Sequence, residues 1–363
     1  MDPDSIDGVE RATHGGTERE DLLDYSANTN PKTPDGTRAV YEAAFDDARR
    51  YPDDGYSAFK RAAAGFIDWF HGDSDPASED GTPVDLDPDN VIPTPGGLAA
   101  IRLAIAVSVS PGDDALVPAP SFDEYERDVR LQGGTPVFRR QSELLESEPE
   151  PYALAVVCTP NNPTGELPDP ERLREFARRC RRAETTLLVD EAFLGYLDVP
   201  SMAGTEGVVV ARSLTKLFGL PGIRVGYAVA TGRLRDRLAI ARRPWNLSTP
   251  ATLVGTHCLT ADRRGDRFVE TTRELVSAER KRIQTRLATV FDVVSPPPSE
   301  PAAPYVLFDV TPSGRTVDQI VETARERGVA VRDARSFRGL DSHVRVAIKE
   351  PDANDRLLEA LDV

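Results

Sequence analysis

Short uninterrupted apolar runs alternate with one-sided apolar stretches through the first two thirds of this chain. Ala115–Val117, Leu154–Val157, Thr186–Val189, Val208–Ala211 and Val225–Ala230 are brief and bounded by turn formers, so each predicts a buried strand. Between them the period lengthens to that of a helix. Leu98, Ile101, Ile105 and Val109 follow Thr94-Pro95-Gly96-Gly97 at offsets of three and four. Leu173, Phe176, Ala177 and Cys180 follow Asp169 as an N-cap and Pro170 at the first helical position. Ala58–Phe70 has the same spacing, with Phe59, Ala62, Phe66 and Trp69 predicted to face the core. Strands alternating with helices in this way predict an α/β fold on a mainly parallel sheet flanked by helices.

The rest of the chain reads differently. Residues 1–20 are polar, as a flexible arm would be, and His14-Gly15-Gly16 is their one distinctive cluster. Arg50–Tyr56 predicts a turn. Residues 71–90 hold seven Asp or Glu among Pro, Gly and Ser, and read as an exposed loop without the ligand spacing of a calcium site. Beyond about residue 235 come a long charged helical stretch at 266–290, apolar runs at Tyr305–Val310, Val329–Arg332 and Val344–Ile348, and a helix near 317–327. Pro296–Pro298 reads as a surface connection. This pattern predicts a smaller α+β domain. The predicted divisions are 1–45 for an arm and part of the small domain, 46–235 for the large domain and 236–363 for the small C-terminal domain.

At 363 residues and 39% hydrophobic content the chain can bury two cores. Its net charge of −16 works against general affinity for nucleic acid or an acidic membrane surface, both of which need an excess of Lys and Arg. No run approaches about 18 consecutive apolar residues and the N-terminus has no apolar segment, so neither a membrane span nor a signal peptide is expected. Cys158, Cys180 and Cys258 are too widely spaced for a disulfide framework or a metal pattern, so no metal is expected and the expected location is cytoplasmic. Only five of the 44 basic residues are lysine. This acidic, arginine-rich balance fits the surface of a halophilic, high-salt protein, and codon bias would also produce it.

Polar motifs sit where the predicted strands end. Asn161-Asn162-Pro163-Thr164-Gly165 follows one, Asp190-Glu191-Ala192-Phe193 ends another, and Ser213-Leu214-Thr215-Lys216 follows a third. In an open α/β sheet ligands collect at the carboxyl ends of strands. The Gly96-Gly97 turn would present free N–H groups at a helix N-terminus to an anion. Lys216 is the pivotal group. With Ser213, Thr215 and Arg224 it offers an amine for a Schiff base and donors for a phosphate, as a phosphorylated aldehyde cofactor requires.

The order and spacing of Asn-Asn-Pro-Thr-Gly, Asp-Glu-Ala-Phe and Ser-Leu-Thr-Lys, with Arg224 following, resemble the class I and II aminotransferase superfamily of fold-type I enzymes. Those enzymes depend on pyridoxal 5′-phosphate, and the resemblance covers nearly the full length. It implies their transferase fold with a mainly parallel seven-stranded sheet, a cofactor-binding large domain, and a homodimer. In that frame Lys216 would link to the cofactor and move protons, and Asp190 would keep the pyridine nitrogen protonated. Asn162 would donate to the phenolic oxygen, Phe122 would stack on the ring, and Gly97, Leu98, Ser213, Thr215 and Arg224 would hold the phosphate. Tyr51 would reach the cofactor of the partner subunit. Plainer roles stay open: a surface lysine for Lys216, a helix cap for Asp190, a core ring for Phe122 and surface ion pairs for the arginines. Phe193 stands where many members carry Tyr, which removes one hydroxyl.

Within the superfamily the nearer resemblance is to the L-threonine-O-3-phosphate decarboxylases of cobalamin biosynthesis, then to the histidinol-phosphate aminotransferases. His14-Gly15-Gly16, the stretch Tyr25–Pro31, Phe193 and the segment from Val331 to Ala347 carry the first. It implies a small phosphorylated amino-acid substrate surrounded by His14, Gly15, Asn28, Asn162, Arg332 and Arg345. Arg345 would take its carboxylate, and Arg332 with the His14 arm its phosphate. A non-catalytic pyridoxal-phosphate-binding module is the remaining reading.

Overall fold

In this computed structural model, which describes residues 1–71, 86–301 and 303–363, the apolar runs line up as one sheet. The two-residue strand β1 (Leu23–Asp24) and the helices α1 (Thr37–Asp47) and α2 (Ser57–His71) precede the alternating region. That region begins with β2 (Val91–Thr94), α3 (Gly97–Ser108), β3 (Asp114–Pro118), α4 (Glu124–Leu131) and β4 (Thr135–Arg139). It continues through the one-turn α5 (Gln141–Leu144), β5 (Leu154–Cys158), α6 (Pro170–Arg182), β6 (Thr186–Asp190), β7 (Val208–Ser213), the one-turn α7 (Leu214–Leu217) and β8 (Gly226–Val229).

The seven strands stand in the order β2-β8-β7-β6-β5-β3-β4. From β7 to β4 all neighbours are parallel, whereas β8 is antiparallel to both β7 and β2. Every residue of β5 is buried, as a parallel strand covered on both faces should be. Phe59, Val189 and Tyr227 belong to the core on one side of the sheet, and Ile101, Ile105 and Val156 to the core on the other. Parallel strands place their carboxyl ends on one edge, so Pro118, Cys158, Asp190 and Ser213 end close together there.

The later chain contributes α8 (Gly232–Ala241), α9 (Thr249–Leu259) and α10 (Phe268–Leu287). After these come β9 (Asp292–Val293), β10 (Tyr305–Asp309), α11 (Val317–Glu326), β11 (Val329–Ala330), β12 (Arg332–Asp333), β13 (His343–Ala347) and α12 (Pro351–Leu361). A four-stranded antiparallel sheet has the order β12-β13-β10-β9, and β1 pairs in parallel with β11. Among the described residues no helix is long and apolar enough to cross a membrane.

Four expectations change. The strands β2 and β4 escape a reading by pattern because each contains a proline, Pro93 and Pro136; both lie at the sheet edges, where a missing N–H is tolerated. The apolar run Val329–Arg332 is two strands in different sheets, divided at Val331. Trp69 is 38% exposed rather than core, because α2 carries its last turn past the packed face that holds Phe59 and Phe66. The N-terminal arm is not loose: the Asp2 N–H donates to the Leu131 carbonyl at 2.8 Å, and Thr13 and His14 are bonded to distant elements. Of the acidic loop expected at 71–90, residues 72–85 lie outside the described residues, and Pro88–Asn90 form a 3-10 turn.

Candidate active site

The carboxyl edge of the large sheet, the N-terminal arm and the small sheet enclose a cavity of about 320 Å³. His14, Gly15, Asn28, Gly97, Leu98, Phe122, Asn162, Asp190, Ser213, Thr215, Lys216, Arg224, Arg332 and Arg345 all line it. Tyr51 does not; it is 81% exposed, its ring 4.7 Å from that of Trp245.

Asp190 closes β6 and is buried. Its Oδ2 accepts from the Tyr125 hydroxyl at 2.5 Å and its Oδ1 from the Ala192 N–H at 2.9 Å. Burial raises this carboxyl's pKa, and the Tyr125 hydrogen bond works against the rise. Glu191, one residue on, turns away from the cavity and pairs with buried Arg212 at 2.7 Å. Only one carboxylate of the Asp-Glu pair therefore serves the cavity.

Lys216 lies on α7, directly after β7. Asn30 N–H and the Tyr196 hydroxyl donate to its carbonyl at 3.0 and 2.8 Å, which anchors the backbone of that turn. Its Nζ lies 5.9 Å from the centre of the Phe193 ring. Burial first, then the charges of Arg345 and Arg224, bring the ammonium down to about 8. At that value the neutral amine is a minority near physiological pH, yet far more abundant than in an ordinary lysine.

A cradle for an anion stands beside it. No side chain caps the first turn of α3; the Ala99 N–H donates to the Gly96 carbonyl at 3.2 Å, and the N–H groups of Gly97 and Leu98 remain for a ligand. Gly96 has φ +90°, and a Cβ there would come within 2.6 Å of Arg224 Nη2. Glycine is thus what lets the guanidinium close on the helix end. Ser213 and Thr215 complete the cradle, their hydroxyls 2.8 Å apart.

A second set of cations comes from the small sheet. Arg332 and Arg345 are direct cross-strand partners on β12 and β13, which places their side chains on one face. Both guanidiniums pack on Phe337, at 5.4 and 5.7 Å from its centre. Arg345 donates to the Asn162 amide oxygen and, at 2.8 Å, to the Ser26 carbonyl. Arg332 donates to the Thr13 carbonyl and the Ser336 hydroxyl, each at 2.7 Å. Burial lowers both guanidiniums, Arg345 to about 10. Among the described residues Arg332 Nε, Arg345 Nε and Asn28 Oδ1 are buried without a partner. A chain of net charge −16 has gathered Lys216, Arg224, Arg332 and Arg345 around one cavity, which marks it for anions.

The arm completes the wall. His14 Nε2 lies 3.0 Å from Glu124 Oε1, with its ring 5.7 Å from that of Phe122. Glu124 is buried and also accepts from Arg102 at 3.0 Å. Gly16 N–H donates to the Ser26 hydroxyl at 2.7 Å.

Reading the sequence missed Tyr125, Asp123, Glu124 and Phe337, all of which line or support the cavity. The signal for Tyr125 was present: it lies three residues after Phe122 at the start of α4, one helical turn away. Asp123 gave no local signal, since only the fold brings Arg332 and His14 to it.

Taken by chemistry alone, the donor set fits a phosphorylated aldehyde on a nitrogen heterocycle. The amine of lowered pKa suits the aldehyde, the buried carboxylate suits a ring N–H, and the cradle at α3 suits the phosphate. The partnerless Asn28 and arginine atoms leave further donors and an acceptor for a second ligand.

The comparisons agree with that fit. The family model for class I and II aminotransferases matches residues 21–361. A protein of Caldanaerobacter subterraneus, provisionally named a threonine-phosphate decarboxylase, is 31% identical over 96% of this chain and 92% of its own length. Histidinol-phosphate aminotransferase 1 of Archaeoglobus fulgidus is 27% identical over 94% of this chain and 98% of its own. Among solved structures, the histidinol-phosphate aminotransferase of Clostridium acetobutylicum has a TM-score of 0.79 at 24% identity, covering 94% of this chain and 98% of that one. The L-threonine-O-3-phosphate decarboxylase of Porphyromonas gingivalis has a TM-score of 0.76 at 21% identity, covering 93% and 98%. These last two share the fold.

Proposed function

Because the chain belongs to the class I and II aminotransferases, a family of enzymes dependent on pyridoxal 5′-phosphate, we propose that it decarboxylates L-threonine O-3-phosphate. The product would be (R)-1-aminopropan-2-yl phosphate, used in cobalamin biosynthesis. The observation that carries this reading is the pair Arg332 and Arg345, side by side on β12 and β13 and sharing the Phe337 ring, with the His14 arm bonded to Arg332 through Thr13. Two adjacent cations beyond those needed by the cofactor suit a substrate with two anionic groups. The 31% identity to the Caldanaerobacter protein supports the same reading.

When bound, pyridoxal phosphate supplies a sink for the electrons released at the substrate's Cα. The residues of the chain do the rest. Lys216 Nζ holds the cofactor and delivers the proton to Cα. Asp190, kept dry and oriented by Tyr125 and the Ala192 N–H, holds the proton on the ring nitrogen. Asn162 donates to the ring oxygen while its own carbonyl accepts from Arg345, so the two groups orient each other. Phe122 covers the ring. Arg345 holds the carboxylate, and Arg332 with His14 holds the substrate phosphate. Gly97, Leu98, Ser213, Thr215 and Arg224 hold the cofactor phosphate. Tyr51 is exposed beside Trp245 and clear of this cavity; in this reading it serves the site of a second copy, and the working unit is a homodimer.

The Archaeoglobus relative favours a second reading, transamination of histidinol phosphate. Two assays separate the two. Carbon dioxide released from threonine phosphate is the expected result. Glutamate formed from histidinol phosphate and 2-oxoglutarate, with no carbon dioxide from threonine phosphate, would replace the first reading with the second.

A further inference from the structure

Asp123 occupies the N-cap position of α4 without capping it, and its side chain lines the cavity instead. Among the described residues no donor bonds to its carboxylate and no cation sits within ion-pair distance of it. The charges that act on it come from every side: Arg332 on β12, His14 on the arm, Arg338 in the segment between β12 and β13, and Glu126 on α4 itself. Arg332 and His14 are the two groups assigned above to the substrate phosphate. A phosphate held by them would share with this carboxylate the cavity that all three line. Two anions forced into one site relieve their repulsion by keeping one proton between them.

We propose that Asp123 is a specificity-determining residue that shares one proton with the substrate's phosphate, so that the phosphomonoester and the carboxylate bind as a singly protonated pair. This inference rests on the phosphate reading of the site. The proton is available near neutrality. Burial lifts the free Asp123 carboxyl to about 6 although Arg332, His14 and Arg338 oppose the rise. A phosphomonoester releases its second proton at about 6 as well. Above that range both partners are deprotonated before they meet, and binding must draw a proton from solution. Asparagine has the same shape, carries no charge and donates to a dianion, so Asp123→Asn removes this requirement.

The test is the ratio of the wild-type KM to the Asp123→Asn KM for L-threonine O-3-phosphate, measured on holoenzyme across pH. The phosphate's own titration is common to both proteins and cancels in the ratio. The ratio should lie near one at low pH and rise by up to about tenfold per pH unit above about 6, until the pair's own pKa is reached. Because Asp123 does not cap α4, the variant should fold, and its melting temperature and cofactor absorbance verify that. A ratio that stays flat or falls with pH overturns the proposal while leaving the phosphate reading intact. If neither protein binds or turns over threonine phosphate at any pH, the phosphate reading itself fails, and this proposal with it.

Discussion

Raising the pH should speed the covalent capture of pyridoxal 5′-phosphate by the cofactor-free protein, with a midpoint near the value of about 8 that the structure gives Lys216. Only the neutral amine attacks an aldehyde. At pH 7.5 about a quarter of amines with a pKa of about 8 are neutral, against about one in a thousand for an ordinary lysine at 10.5, so the site gains roughly two hundred-fold in reactive amine. The same difference is worth about 3 kcal/mol against the ammonium form. Its first cause is burial and its second the Arg345 charge, so Arg345→Gln should move the midpoint upward while leaving it below 10.5. Between about 8 and 10.5 the unfolded chain holds a proton that the folded cofactor-free protein has released, so its stability rises with pH across that window. The assay is stopped-flow absorbance of the imine band after mixing, with borohydride trapping to place the bond on Lys216. A rate that keeps climbing to a midpoint near 10.5, or one that ignores pH, would refute the assignment of a desolvated amine at this position.

Asp190→Asn should still bind cofactor, because the cradle at α3 is untouched, yet lose two or more orders of magnitude in kcat; a near-normal kcat would remove Asp190 from the ring nitrogen. Gly15→Ala should weaken substrate binding with little change in cofactor affinity. A Cβ there would lie 2.2 Å from the Ser26 carbonyl oxygen, the group to which Arg345 donates, so the arm must lift from Ser26. Unchanged KM would show that the arm does not contribute to the substrate site.

Much of this site was legible before any fold was known. Lys216, Asp190 and Asn162 sit in contiguous motifs at the ends of apolar runs, and strand ends are where a parallel sheet gathers its chemistry. The seven-stranded sheet was legible for the same reason, apart from its two edges, where Pro93 and Pro136 interrupt the signal. Local pattern records backbone preference and one-sided burial, and these are properties of neighbours in sequence.

What only the tertiary structure decided depends on charges and surfaces brought together from afar. Val329–Arg332 reads as one strand, and its division between two sheets is what sets Arg332 beside Arg345. The arm reads as loose polar chain, and it is held by Glu124 and Arg332, residues more than a hundred positions away. Asp123 reads as one acid among many in a chain of net charge −16. Its raised carboxyl arises from the low-dielectric cavity that the fold builds around it, and desolvation of that kind has no counterpart in a linear pattern.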